Sequence, residues 1–160
     1  MSSVRGIVAL SAGDATDLGD VNAIMADAFD PRYGEAWTPS QCVGMLALSG
    51  IWLTMASVDG QSAGFALARS IMDDGELLLL AVRNDFRRRG VGSALLRSVI
   101  REAGARGVTG LHLEVRKGNP AIDLYRREGF RKVGERASYY RGITGQQYDA
   151  QTFHRMLTKE

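Results

Sequence analysis

Apolar residues recur along the chain with two different periods, and the switches between them fall at glycine and proline. Residues 7–10 form a short apolar run, after which Leu18, Val21, Ile24, Met25, Ala28 and Phe29 recur at the spacing that lines one face of a helix. Asp14 is placed to cap that helix, because a short side chain bearing an acceptor oxygen satisfies the free amides of a first turn. Asp30-Pro31 stops it, since the residue before proline is pushed out of helical backbone. A loop with Tyr33, Gly34 and Trp37 leads to a second helix, where Thr38 is the cap, Pro39 sits in the first turn, and Val43, Leu46 and Ala47 mark the inner face.

Residues 51–58 and 63–71 predict two strands joined at Asp59-Gly60, a dipeptide suited to a tight hairpin, so the pair is antiparallel. Residues 76–82 hold four successive leucines without alternation, the pattern of a strand covered on both faces in the middle of a sheet. Helical spacing returns over residues 90–105 at Val91, Leu95, Val99 and Ala103, and Gly107 terminates it. Leu111, Leu113 and Val115 then alternate with His112, Glu114 and Arg116 as a strand. Strand, helix and strand in that order predict a parallel crossover. Asn119-Pro120 opens a short helix through Tyr125, Gly129 ends it, and residues 130–140 and 149–157 supply two last strands. The alternation predicts an α/β (α+β) domain with a mixed central sheet flanked by helices.

At 160 residues the chain is long enough for one core, which predicts a single domain over residues 1–160. The net charge of +2 hides an uneven spread: Asp14, Asp17, Asp20, Asp27 and Asp30 lie early, and arginines gather from Arg83 onward. That balance predicts a local anion site and no nucleic-acid partner. Cys42 is the one cysteine, so no intramolecular disulfide or cysteine-rich zinc site can form, which fits a reducing cytoplasm. No apolar run approaches the ~20 residues that span a bilayer, so no membrane partner is expected.

The most informative stretch is Leu80-Ala81-Val82-Arg83-Asn84-Asp85-Phe86-Arg87-Arg88-Arg89-Gly90-Val91-Gly92-Ser93, which links the leucine-rich strand to the next helix. Glycines there let backbone approach a ligand, and the free amides and positive end of a helix attract anionic oxygens. A Walker A loop would need Lys and Ser or Thr after its second glycine, and a dinucleotide fingerprint would need glycine where Leu95 stands. Taken alone, the turn also fits an exposed basic turn that serves solubility.

Arg87-x-x-Gly90-x-Gly92 directly after Leu80-Ala81-Val82 resembles the acetyl-coenzyme A signature of the GNAT superfamily. Leu113-Glu114-Val115-Arg116, Asn119, Leu124-Tyr125 and Gly129-Phe130 follow in the order of its ribosomal-protein-alanine N-acetyltransferase (RimI-like) branch. The resemblance implies the GNAT acyl-CoA N-acyltransferase fold with acetyl-CoA as co-substrate and no metal. It implies that Arg87, Arg88, Arg89, Gly90, Val91, Gly92 and Ser93 form the pyrophosphate site. It also implies that Ala81 and Val82 meet the pantetheine arm as a pseudo-strand, with the Val82 amide toward the thioester oxygen and Asn119 beside the cofactor. From Asn119 to Tyr125 the chain is one residue shorter than the branch pattern. The loop around Tyr33 to Trp37 is longer, and Trp37 matches a substrate-side tryptophan of the branch.

Acetyl transfer to an amine needs a base for the ammonium, polarisation of the thioester carbonyl and a proton for the departing thiolate. By resemblance Glu114 is the base, against the plainer reading of a strand-end carboxylate paired with Arg116 or His112. Glu76, at the start of the leucine-rich strand, is the competing base. Tyr125 is the expected acid, a phenol able to donate to sulfur. Tyr139 and Tyr140 are expected to close over the acceptor, with Trp37 and Tyr33 as the opposite wall. His112 and His154, without acidic or cysteine partners in a metal spacing, read as structural, and Cys42 as a space-filling residue, which leaves direct transfer without an acyl-enzyme. The expected acceptor is a protein N-terminal α-amine, such as that of a ribosomal protein. A small-molecule amine is the first alternative and a noncatalytic acyl-CoA sensor the second.

Overall fold

A computed structural model of the chain describes residues 6–157. In chain order its elements are β1 (Val8–Gly13), α1 (Leu18–Ala28), α2 (Pro39–Leu46), β2 (Ile51–Val58), β3 (Gln61–Ile71), β4 (Asp74–Val82), α3 (Val91–Ala105), β5 (Gly110–Arg116), α4 (Ala121–Arg127), β6 (Arg131–Arg141) and β7 (Gln147–Met156). The local signals act as expected. Asp14 caps a 3₁₀ turn, Ala15–Asp17, that runs into α1. Thr38 and Gln41 close a reciprocal capping box at the start of α2. Asp59 and Gly60 take φ of 52° and 77°, the left-handed pair that a two-residue hairpin turn requires.

The strands form one sheet in the order β1-β2-β3-β4-β5-β7-β6, with β4 at its centre. All neighbours are antiparallel except β4 and β5, which α3 joins as a parallel crossover. One face packs Leu95, Leu96 and Val99 of α3 against β2 to β5. The other packs Val21, Ile24 and Met25 of α1 with Cys42 of α2 against Leu53, Phe65 and Leu79. The last strand inserts between β5 and β6, an order that hydrophobic periodicity does not encode.

Strand β4 departs from the uniform double cover that its leucine run suggests. Its register with β3 slips from Leu67↔Leu79 to Ala68↔Leu77, leaving Leu78 as an extra residue. The bulge resets the alternation: Leu77, Leu80 and Val82 join the α3-side core, and Leu78, Leu79 and Ala81 the α1-side core. Pairing with β5 also stops early, running only from Asp74↔Gly110 to Leu77↔Leu113. Beyond it β4 stays on β3 as far as Val82, and β5 stays on β7 from Glu114↔Thr152 to Arg116↔Ala150. The two central strands therefore part, and the β4 backbone past Leu77 has no strand on its β5 side. Backbone polar groups left unpaired in this way call for a partner.

Candidate functional site

The parting of β4 and β5 opens a cleft of about 130 Å³. Glu76 and Leu77 to Leu80 line it from β4, Glu114 and Val115 from β5, and Asn119, Ala121 and Tyr125 from the turn and helix that follow. Tyr139 and Tyr140 close it from β6, and Phe29, Glu35 and Trp37 from the α1–α2 loop. Glu114, Tyr125, Asn119, Trp37, Tyr139 and Tyr140, far apart in sequence, are thus brought to one cavity.

Two consecutive strand residues ordinarily point to opposite faces, yet Tyr139 and Tyr140 both line the cleft. A second bulge makes this possible: the β6–β7 register jumps from Arg136↔Ala150 to Tyr140↔Tyr148. Ser138 takes a left-handed φ of 55° there, and its amide donates to Asp149 Oδ1 at 2.9 Å. The two rings meet edge to face with centroids 4.9 Å apart, and Tyr140 Oη donates to the Glu114 carbonyl at 3.3 Å. Burial pushes the Tyr140 phenol well above its ordinary range, with Tyr139 and the Glu35 carboxylate adding to the effect.

Tyr125 is buried against Phe130. Burial raises its phenol far above the ordinary value of 10.0, and the nearby Glu35 charge pushes the same way. Its proton is therefore held throughout the neutral range, as a donor requires. The Glu114 side chain is only 8% exposed, with Oε2 accepting from Thr152 Oγ1 at 2.7 Å and Oε1 lying 3.2 Å from Arg136 Nε. The expected Arg116 and His112 pairings do not form, because cross-strand neighbours on β7 and β6 lie closer than strand neighbours along β5.

Arg116 instead meets Glu35, which sequence reasoning missed. Arg116 Nε donates to Glu35 Oε1 at 3.1 Å, and Asn119 Nδ2 donates to Glu35 Oε2 at 2.8 Å. The Arg116 guanidinium lies 3.6 Å from the centroid of the Tyr33 ring, which is edge-on to Tyr148. Tyr33 is therefore committed to packing and does not line the cleft, whereas Trp37 does. Asn119 has both ends of its amide engaged, because its Oδ1 accepts from Ala121 N at 2.9 Å and so opens α4.

His112 has acidic neighbours that the sequence did not show. The parallel register sets it opposite Glu76, with Nε2 3.7 Å from Glu76 Oε2 and Nδ1 3.5 Å from Asp74 Oδ1. Its acidic neighbours come from another strand, so no spacing along the sequence reveals them. Among the described residues no group of His, Cys, Asp and Glu has the makings of a metal site. Cys42 is buried, and burial raises its thiol, so it is poorly suited to act as a nucleophile.

The turn after β4, expected from the sequence to cradle an anion, leaves the first amides of α3 without a side-chain cap. A 3₁₀ turn, Asn84–Phe86, is followed by Arg88 at φ 62° and Gly90 at φ 81°, and Gly90 begins α3 with no side-chain cap on the helix amides. A Cβ added to Gly90 would meet nothing within 4 Å, so its outer side is open. Gly92 differs, since a Cβ there would come within 3.2 Å of Leu124 Cδ2; this glycine admits α4 against α3. Arg87 differs too, because its Nη2 donates to the Ala28 carbonyl at 2.9 Å and ties the turn to the end of α1. Arg88 and Arg89 are exposed at the turn.

Residues 20–130 match the model of the acetyltransferase (GNAT) family, and the chain belongs to that family. Among curated relatives, the ribosomal protein bS18-alanine N-acetyltransferase of Salmonella typhimurium is 42% identical over 85 residues, 52% of this chain and 57% of the relative. That of Escherichia coli K12 is 40% identical over 90 residues, 56% of this chain and 61% of the relative. The matched region thus spans a little over half the length of these relatives. The crystal structure of the ribosomal-protein-S18-alanine N-acetyltransferase from Escherichia coli superposes with a TM-score of 0.84 at 29% identity, covering 96% of both chains. A putative phosphinothricin N-acetyltransferase, at 22% identity and a TM-score of 0.82, shares the fold and covers 96% of this chain and 100% of its own.

Proposed function

We propose that the chain transfers the acetyl group of acetyl-CoA directly to the α-amine of a protein N-terminus in the cytoplasm, with a ribosomal protein as the kind of acceptor. The observation that carries the reading is the parting of β4 and β5, which sets an unpaired strand edge, the carboxylates of Glu35, Glu76 and Glu114 and a buried phenol around one cleft. The β4 edge from Leu78 to Val82 has free backbone groups for an extended amide-bearing arm. The Arg88 to Ser93 turn suits the pyrophosphate by its open amides and helix dipole. Acetyl-CoA supplies an activated acyl group as its thioester, and the protein supplies position and proton transfer.

In this reading Glu114, reached directly or through one water, accepts a proton from the acceptor ammonium. Thr152 and Arg136 fix its carboxylate orientation. Tyr125 gives its proton to the leaving sulfur. Tyr139, Tyr140 and Trp37 wall the acceptor side, leaving a slot for an extended chain end. An α-amine suits this site because its pKa, near ~8, lies more than two units below that of lysine, so one carboxylate suffices to deprotonate it. The 29% identical neighbour aligned over nearly the whole chain is named for N-terminal alanine acetylation, which supports the same acceptor class.

The test is the initial rate of thiol release with three acceptor classes: peptides starting with alanine or serine, the same peptides blocked at the N-terminus but bearing lysine, and polyamines. The open-ended alanine and serine peptides are expected to react fastest. A polyamine that outruns every peptide would move the assignment to a small-amine enzyme.

A further inference from the structure

The transfer proposed above, on which this inference rests, leaves a proton to be removed. As the acceptor nitrogen bonds to the acetyl carbon, an ammonium gives up two protons. The carbon–sulfur bond breaks, and the departing sulfur takes up one proton, from Tyr125, which is itself reprotonated from the nitrogen's pool. The second proton must reach solvent. Glu114 is well placed to receive it but poorly placed to release it, being 8% exposed and held by Thr152 and Arg136. Of the two other carboxylates of the cleft, Glu35 is taken up by Arg116 and Asn119, and Glu76 is 37% exposed with its Oε2 3.7 Å from His112 Nε2.

His112 belongs to the same face of β5 as Glu114, two residues earlier. Its two ring nitrogens address two carboxylates: Nε2 is 3.7 Å from Glu76 and Nδ1 is 3.5 Å from Asp74, whose side chain is 67% exposed. His154 lies directly across on β7, with Arg131 beyond it on β6, and Arg69 lies across from Glu76 on β3. Imidazole is the side chain that accepts on one nitrogen and donates from the other near neutral pH. Both separations are slightly longer than a hydrogen bond, a gap that a small ring rotation closes.

We infer that Glu76, His112 and Asp74 form the route by which the surplus proton leaves the cleft. Glu114 hands the surplus proton through water in the cleft to Glu76, His112 takes it from Glu76 at Nε2 and releases its Nδ1 proton to Asp74, and Asp74 passes it to bulk water. No bond other than N–H and O–H changes, and exchange with solvent at the 30% exposed ring returns His112 to its starting tautomer. The strand register sets these groups in one row across the sheet, from Arg69 opposite Glu76 to Arg131 opposite His154.

The experiment measures thiol release with an alanine-starting peptide at low and high imidazole concentration. Wild type should be insensitive to imidazole. His112→Asn should lower kcat roughly tenfold at low buffer, less than the ~hundredfold loss of a general acid because water carries part of the flux. Its KM for peptide should not change, and added imidazole should restore its rate saturably. Asp74→Asn, at an exposed position that leaves folding intact, should show a smaller loss restored in the same way. A folded His112→Asn protein with full rate at low buffer, or with a loss that imidazole does not restore, would overturn the route. Absence of thiol release from wild type with every amine would instead sink the transferase reading itself, and this route with it.

Discussion

At the scale of single residues, the acid role proposed for Tyr125 rests on surroundings that leave its hydroxyl protonated and leave its ring little freedom. Tyr125→Phe keeps the packing and removes only the donor. It should bind acetyl-CoA as wild type does while turnover falls by about hundred- to ten-thousandfold, measured as kcat with cofactor affinity determined separately. The raised phenols of Tyr125 and Tyr140 also affect stability. The unfolded chain loses these protons near the ordinary value of 10.0 and the folded chain holds them, so their stabilising effect is complete below that pH and is lost as pH rises above it. Urea midpoints should therefore fall between pH 9.5 and 11, about where a free phenol titrates, and fall less in Tyr125→Phe. Glu114, Tyr125 and the tyrosine pair were legible in the sequence because they stand in a recognisable order. Glu35 was not, since its partners Arg116 and Asn119 are 81 and 84 positions away and nothing in its own loop marks it. Arg87 and Gly92 lay in the motif, but their work, tying down α1 and admitting α4, depends on neighbours that only the fold supplies.

At the scale of elements, the side of the cleft proposed to take the acceptor is built by clamping the α1–α2 loop onto the β6–β7 hairpin and the start of α4. The Glu35–Arg116 pair is nearly buried, at 10% and 11% side-chain exposure, so removal of one partner strands the other. Arg116→Met should lose roughly 3–5 kcal/mol in urea unfolding, and the double variant with Glu35→Gln should lose less than Arg116→Met alone. Gly34 has φ 71°, and a Cβ there would overlap the Arg141 carbonyl across the clamp. Gly34→Ala should therefore cost more than the ~1–2 kcal/mol of left-handed backbone strain alone and should raise KM for peptide acceptors more than for acetyl-CoA. The elements themselves were legible to within a few residues, since each carries its own period, cap or turn. Their partnerships were less so. Periodicity could not show that β7 inserts beside β5, and the two bulges, at Leu78 and around Ser138, arise from cross-strand register. The four-leucine run shows the difference, because its lack of alternation reflects a bulge as well as two covered faces.

At the scale of the whole molecule, the parting of β4 and β5 joins the turn after β4 to the cleft, so cofactor bound as proposed should stabilise the entire fold. Acetyl-CoA at a hundred times its Kd adds about 2.7 kcal/mol, which for a chain of this length raises the melting temperature by about 5–10 °C. Dephospho and truncated cofactors should protect less. Gly90→Val, which places a branched side chain on the open outer side of the turn, should remove protection while the apoprotein still melts cooperatively. Wild-type protection in that variant would locate the pyrophosphate elsewhere. The central claim is that this assembly delivers acetyl to an α-amine. Its most direct test is fragmentation mass spectrometry of one peptide that begins with alanine and carries an internal lysine, after reaction with the protein and acetyl-CoA. The account predicts a single acetyl group on the N-terminal nitrogen. Acetyl confined to the lysine, or an unmodified peptide from protein that acetyl-CoA stabilises, would contradict it.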